Sequence, residues 1–160
     1  MPTRILCIII FCCTFSSCSC FLESSYDRFS ADLLNDHDRI MQEGDSYFYR
    51  TRYSTITGQE ALCTFTQFSG CDTIYRLSVH TKSSLTLNVS IEVDTEQFRL
   101  VLVDQNRNRL IPIQHGSATA AYTIQLERGY YAMKMVGYCA DGVLSLQLHT
   151  SEEVEILPSN

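Results

Sequence analysis

Positive charge is the first thing in short supply. Twelve Lys and Arg stand against 18 Asp and Glu, a formal net charge of −6. Nucleic acid is held largely by Lys and Arg on its phosphates, so it is excluded as a partner class. Long apolar runs are missing as well. Ile5 to Phe15, broken only by Thr14, is the one apolar stretch of any length, and it falls short of the roughly 20 residues that a transmembrane helix requires. Catalytic signatures are equally scarce: there is no G-x-S-x-G elbow, H-E-x-x-H pair or glycine-rich phosphate loop. No C-x-x-C or H-x-x-x-H pair is available to start a zinc site in the body of the chain. No cofactor is implied, and the chain reads as a non-enzyme without repeats, a low-complexity linker or a second domain.

What is present begins with an export signal. Arg4 precedes the apolar run of Ile5 to Phe15, and the small residues Ser16, Ser17 and Ser19 follow. Phe15-Ser16-Ser17 before Cys18 resembles the bacterial lipobox, in which the Cys is lipidated and becomes the mature N-terminus. That resemblance implies lipidation at Cys18 and a membrane contact made through the lipid alone; cleavage near Cys20 without lipid is the competing reading. Loss of the signal removes Arg4 and deepens the acidic balance. The chain divides into a signal peptide over 1–18, a short helical segment over 19–44, a β-domain over 45–150 and a polar tail over 151–160.

The clearest pattern lies in Ser84 to Asp104. Leu85, Leu87, Val89, Ile91 and Val93 alternate with Thr86, Asn88, Ser90 and Glu92, which places five apolar side chains on one side of a pleated strand. Phe98, Leu100, Val101, Leu102 and Val103 are apolar at both parities, as expected of a strand covered on both faces. Before this stretch, Phe29, Leu33, Leu34, His37, Ile40 and Met41 recur at helical spacing within Glu23 to Gly44. From Asp45 onward, runs rich in β-branched and aromatic residues are separated by Gly58, Ser69-Gly70, Gly116-Ser117, Glu127-Arg128-Gly129 and Asp141-Gly142. Pro112 places its own run at a sheet edge. About nine short strands with turns at these intervals predict an all-β fold, an antiparallel β-sandwich or jelly roll.

Three cysteines, Cys63, Cys71 and Cys139, lie in the β-domain. In an oxidising compartment two of them are disulfide candidates, either Cys63 with Cys71 across Phe68-Ser69-Gly70 or Cys71 with Cys139 between distant strands, and the third is left over or pairs with Cys20. Tyr47, Phe48, Tyr49 and Tyr53 alternate with Arg50 and Arg52, so one strand could present rings and guanidinium groups to a sugar or peptide. Tyr47, Tyr49, Arg50 and Arg52 are the candidate binding residues, with Tyr130 as a further one. A Cys63 or Cys71 nucleophile with His80 is the enzymatic alternative. Asn88-Val89-Ser90 is a sequon whose Asn points outward.

The stretch from Asp94 through Phe98-Arg99-Leu100-Val101-Leu102-Val103-Asp104, Leu126-Glu127-Arg128-Gly129-Tyr130-Tyr131 and Gly142-Val143-Leu144-Ser145-Leu146 resembles the bacterial pre-peptidase C-terminal domains, over roughly 72–150. The resemblance implies a small jelly roll acting as a non-catalytic accessory module of secreted enzymes, one that binds substrate matrices or supports secretion. It also implies calcium, for which Asp94, Glu96 and Asp104 are the candidate ligands. Partners expected on this reading are an extracellular polymer, either polysaccharide or protein, or an envelope protein. The alternatives are a secreted hydrolase or hydrolase inhibitor, and a structural envelope protein that associates through an edge strand near Pro112.

Overall fold

The computed structural model describes residues 31–157, and the export signal, Cys18, Cys20 and Phe29 lie outside them. Nine strands follow two short helical turns: a 3-10 turn over Ala31–Asn35, α1 over His37–Met41, β1 over Ser46–Phe48, β2 over Thr51–Thr57, β3 over Glu60–Val79, β4 over Ser83–Val93, β5 over Phe98–Asp104, β6 over Arg109–His115, β7 over Ala118–Leu126, β8 over Gly129–His149 and β9 over Val154–Leu157. Every pairing is antiparallel.

Two strands, β3 and β8, run for 20 and 21 residues and pair with each other along their length. The first half of β3 and the last half of β8 are the centre of one sheet, in the order β2-β3-β8-β4-β7. Their other halves are the centre of a second sheet, flanked by β1 and β9 on the β3 side and by β5 and then β6 on the β8 side. The two long strands therefore pass from one sheet to the other, and the antiparallel sandwich is built around their shared corner.

That corner corrects the expected strand breaks. Ser69-Gly70 and Asp141-Gly142 do not turn the chain back; both lie inside continuous strands. Register shifts fall between Phe65, Phe68 and Gly70, and Gln67, Gly70 and Cys139 have positive φ, the marks of bulges that bend a sheet. Ser69 Oγ accepts from the Cys139 amide at 2.9 Å, Asp141 Oδ1 accepts from the Gln67 amide at 2.6 Å, and Asp94 Oδ1 accepts from the Asp141 amide at 2.9 Å. Gly142 is required for a different reason than a turn: a Cβ there would collide with the Glu92 carbonyl of β4.

Between the sheets, Leu85, Leu87, Val89 and Ile91 of β4 meet Phe98, Leu100 and Leu102 of β5, together with Phe65, Phe68, Leu144, Leu146 and Leu148. The alternation of β4 thus does what its period requires. β5 is apolar at both parities because Val101 and Val103 point the other way, into a second cluster with Leu33, Leu34, Ile40, Ala132 and Val136. The helical segment covers the outer face of the second sheet and makes a third layer. It is two turns instead of one helix: Asp36 accepts from the Arg39 amide at 3.0 Å and restarts the chain as the cap of α1. The expected polar tail contributes a strand, since Val154–Leu157 pairs with β3 as β9.

Candidate functional site

The outer faces of the two sheets differ in what they leave exposed. On the second sheet, Lys134 of β8 is buried beneath the segment that follows α1. Its Nζ donates to the carbonyls of Gln42 at 2.9 Å and Gly44 at 3.0 Å, and lies 3.9 Å from Asp45 Oδ1. Burial lowers its pKa against the opposing pull of Asp45. Thr73 Oγ1 donates to the same Asp45 oxygen at 2.6 Å. These contacts clamp the helical layer down.

The first sheet has no such cover among the described residues. Register places Tyr53, Thr55 and Thr57 of β2, Glu60, Leu62 and Thr64 of β3, Val143, Ser145 and Gln147 of β8, Thr86, Asn88 and Ser90 of β4, and Thr119, Ala121 and Thr123 of β7 on one outer surface. No Lys or Arg projects from it. Its polar groups form cross-strand ties: Thr86 with Thr123 at 3.4 Å, Ser90 with Thr119 at 3.3 Å, and Asn88 Nδ2 with Gln147 Oε1 at 3.2 Å and His149 Nε2 at 3.1 Å. Two shallow depressions of about 470 and 440 Å³ lie side by side on this face and share Ser145 and Gln147 as lining residues. One is bounded by Thr55, Thr57, Glu60 and Leu62, the other by Asn88, Ser90 and Ala121. Tyr53, 74 % exposed, stands one same-face position from Thr55, and Leu62 is 50 % exposed. Hydroxyl and amide donors and acceptors, with the carboxylates Glu60 and Glu92 as the charged groups, stand beside a bare ring and suit a neutral, hydroxyl-bearing ligand better than an anionic one.

The candidate binding residues do not share this face. The single strand expected to carry Tyr47 to Tyr53 breaks at Tyr49-Arg50 into β1 and β2, and the break turns Tyr49 and Arg52 inward. Tyr49 stacks on Phe68 with centroids 4.7 Å apart, and its hydroxyl donates to Asp72 Oδ2 at 2.6 Å. Arg52 pairs with the same oxygen at 3.0 Å and lies over the rings of Tyr49 and Tyr47. Burial raises the pKa of Asp72 by more than the Tyr49 hydrogen bond and the Arg52 charge restore, and burial followed by the Asp72 charge raises that of the Tyr49 hydroxyl. Tyr49 and Arg52 are thus core and ion-pair groups. Only Tyr47 of this cluster keeps an exposed ring. Arg50 is exposed in the bend and gives its amide to Thr66 O. Tyr130 is 54 % exposed, but it belongs to the outer surface of the second sheet, where its amide donates to Asn106 Oδ1. Tyr53 was legible by parity alone, since residues 51, 53, 55 and 57 must share a face.

Three further expectations are corrected. None of Cys63, Cys71 and Cys139 is disulfide-bonded within the described residues. Cys63 points into the inter-sheet core and Cys71 into the covered cluster. Eight strand residues at about 3.3 Å each separate these two far beyond the ~7 Å Cα limit for a bridge. Burial raises both thiols, Cys71 to about 11. The calcium ligands are also scattered. Asp94 and Asp104 lie at opposite ends of β5, ~20 Å apart at strand rise. Asp94 caps the corner, whereas Asp104 pairs with Arg107 at 3.1 Å and accepts from the Asn106 and Arg107 amides. Glu96 lies against Gly116. Among the described residues no three His, Cys, Asp or Glu side chains are grouped to hold a metal. Finally, Cys63 and His80 are separated by the length of β3, and His80 is 3.6 Å from Glu155 instead. No described helix is long and apolar enough to cross a membrane.

No family model and no curated protein matches the chain. Among solved structures it is similar to carbohydrate binding modules of family 29. One point mutant has 7 % identity and a TM-score of 0.38 over 68 % of this chain and 82 % of that one. A second mutant, complexed with mannohexaose, has 8 % identity and a TM-score of 0.39 over the same shares. A structure described simply as a family 29 module has 8 % identity and a TM-score of 0.36, over 71 % of this chain and 79 % of that one. At those values the reading of the face rests on its own side chains.

Proposed function

We propose that the protein is an exported, lipid-anchored, non-catalytic module that binds a neutral extracellular polysaccharide on the outer face of its first sheet. The observation that carries the reading is the contrast on that face: a five-stranded surface left uncovered by the described residues, without Lys or Arg, holding two adjoining depressions among hydroxyl and amide groups and the Glu60 carboxylate, with Tyr53 and Leu62 at their side. An extended polymer fits a shallow groove running across strands better than a small molecule, which is held in a closed cavity. Tyr53 supplies a flat apolar surface for a sugar ring, and the Ser, Thr, Asn and Gln side chains supply hydrogen bonds without an ion-pair requirement. The resemblance of the second half to accessory modules of secreted enzymes agrees with this role. Export and anchoring are supported by the Arg4 to Cys18 pattern.

The binding claim is tested by electrophoresis of the protein through gels containing neutral or acidic polysaccharides. Retardation by a neutral polymer, weakened at least about tenfold in Tyr53→Ala and Ser145→Lys, is the expected result; retardation by acidic polymers only would reject it. The anchor is tested by the intact mass of the mature protein, which should begin at Cys18 and include acyl chains.

A further inference from the structure

A sheet edge carries unpaired backbone donors and acceptors, and proteins ordinarily guard such edges with charges, prolines, bulges or short strands. Three of the edges here are guarded. β6 contains Pro112 and a register shift, β1 and β9 have three and four residues, and β2 carries Arg52 and follows Arg50. β7 has none of these devices. Its nine residues, Ala118 to Leu126, contain no charge and no proline, pair with β4 in unbroken register, and within the described residues pair with no other strand.

We propose that β7 is the docking edge for a second copy of this chain, joined by antiparallel β7–β7 pairing about a two-fold axis at Tyr122. Such an interface is self-complementary, as two-fold symmetry requires. Side-chain size supports this occupant and this direction. On the inner row, Ala120 falls opposite the partner's Ile124, which is half-buried, and Tyr122 falls opposite its own counterpart, while Leu126 is already fully buried in its own core. On the outer row, Ala121 meets the partner's Thr123, and Thr119 meets the partner's Gln125. Small residues in the first half of the strand therefore fill against large ones in the second half. Parallel in-register pairing would set Ala against Ala and leave gaps. No like charges oppose each other, since Glu127 would face the partner's Ser117 and is already paired to Lys82 at 2.8 Å. The dimer joins the two outer faces into one ten-stranded surface, because Thr119 and Ala121 line the depression nearest this edge. The pairing stands apart from the polysaccharide reading, as it needs no ligand.

Light scattering on the purified protein without ligand should give twice the chain mass at high concentration. Ala121→Lys, on the exposed outer row, should give the single-chain mass, and Ala121→Lys with Thr123→Glu should restore the doubled mass by placing Lys opposite Glu twice. A single-chain mass for the unaltered protein at every concentration overturns the proposal, as does a doubled mass that Ala121→Lys leaves intact. Amide hydrogen exchange on the unaltered protein is a check that depends on no variant: protection within 118–126 should rise with concentration, and protection that stays constant overturns the pairing.

Discussion

The two sheets are made from the same two long strands, yet their outer faces are finished in opposite ways. The second sheet turns Val101, Val103, Ala132 and Val136 outward and buries them under Leu33, Leu34 and Ile40. The first turns mainly Thr, Ser, Asn and Gln outward, with Glu60 and Glu92, and no described residue covers it. The outward rows decide the outcome: apolar side chains demand a third layer, whereas polar ones are stable in water without one.

The largest expected effect is on the covered face. Ile40 is fully buried, and Ile40→Ala should cost about 3 kcal/mol in urea unfolding, by lost burial and the cavity left behind. Lys134→Met comes next, at about 2 kcal/mol, because two carbonyls and Asp45 lose their buried donor; equal stability would show that the helical layer is held by its apolar contacts alone.

Asp72 gives a pH test at the margin between the two regions. Its pKa is raised in the folded state, so the folded protein holds the extra proton. The stability this contributes is present below the ordinary Asp range and is lost as pH rises through the raised value. Asp72→Asn should therefore gain on the unaltered protein as pH rises across that window, read from urea midpoints; a constant gap would contradict the burial of this carboxyl. The smallest effect belongs to the bare face. Thr86→Ala and Thr123→Ala remove one exposed cross-strand tie and should each change stability by less than about 0.5 kcal/mol.

Much of this contrast could be read from the sequence. The alternation of β4 and the double parity of β5 hold residue by residue, because period and burial are directly linked. The corner was not legible. Ser69-Gly70 and Asp141-Gly142 are turn residues by composition, but positive φ and a missing Cβ serve a bulged strand and a close crossing just as well as a hairpin. Tyr49 and Arg52 were misplaced for a related reason: a break of two residues between β1 and β2 resets which parity faces in, and nothing local announces it. Val154 and Ile156 lie in a stretch of acids that reads as a tail, and they become a strand only because the end of β3 offers a free edge. Tyr53 kept its parity and its exposure.

The measurement that bears most directly on the account is an amide NMR titration of the protein with an oligosaccharide of a neutral polymer that retards it in the gel. Binding at the bare face predicts shifts confined to Tyr53, Thr55, Leu62, Asn88, Ser145 and Gln147 and their strand neighbours, with the covered face unchanged. Shifts centred on Tyr47 or Tyr130, with the outer residues of the first sheet silent, would contradict it.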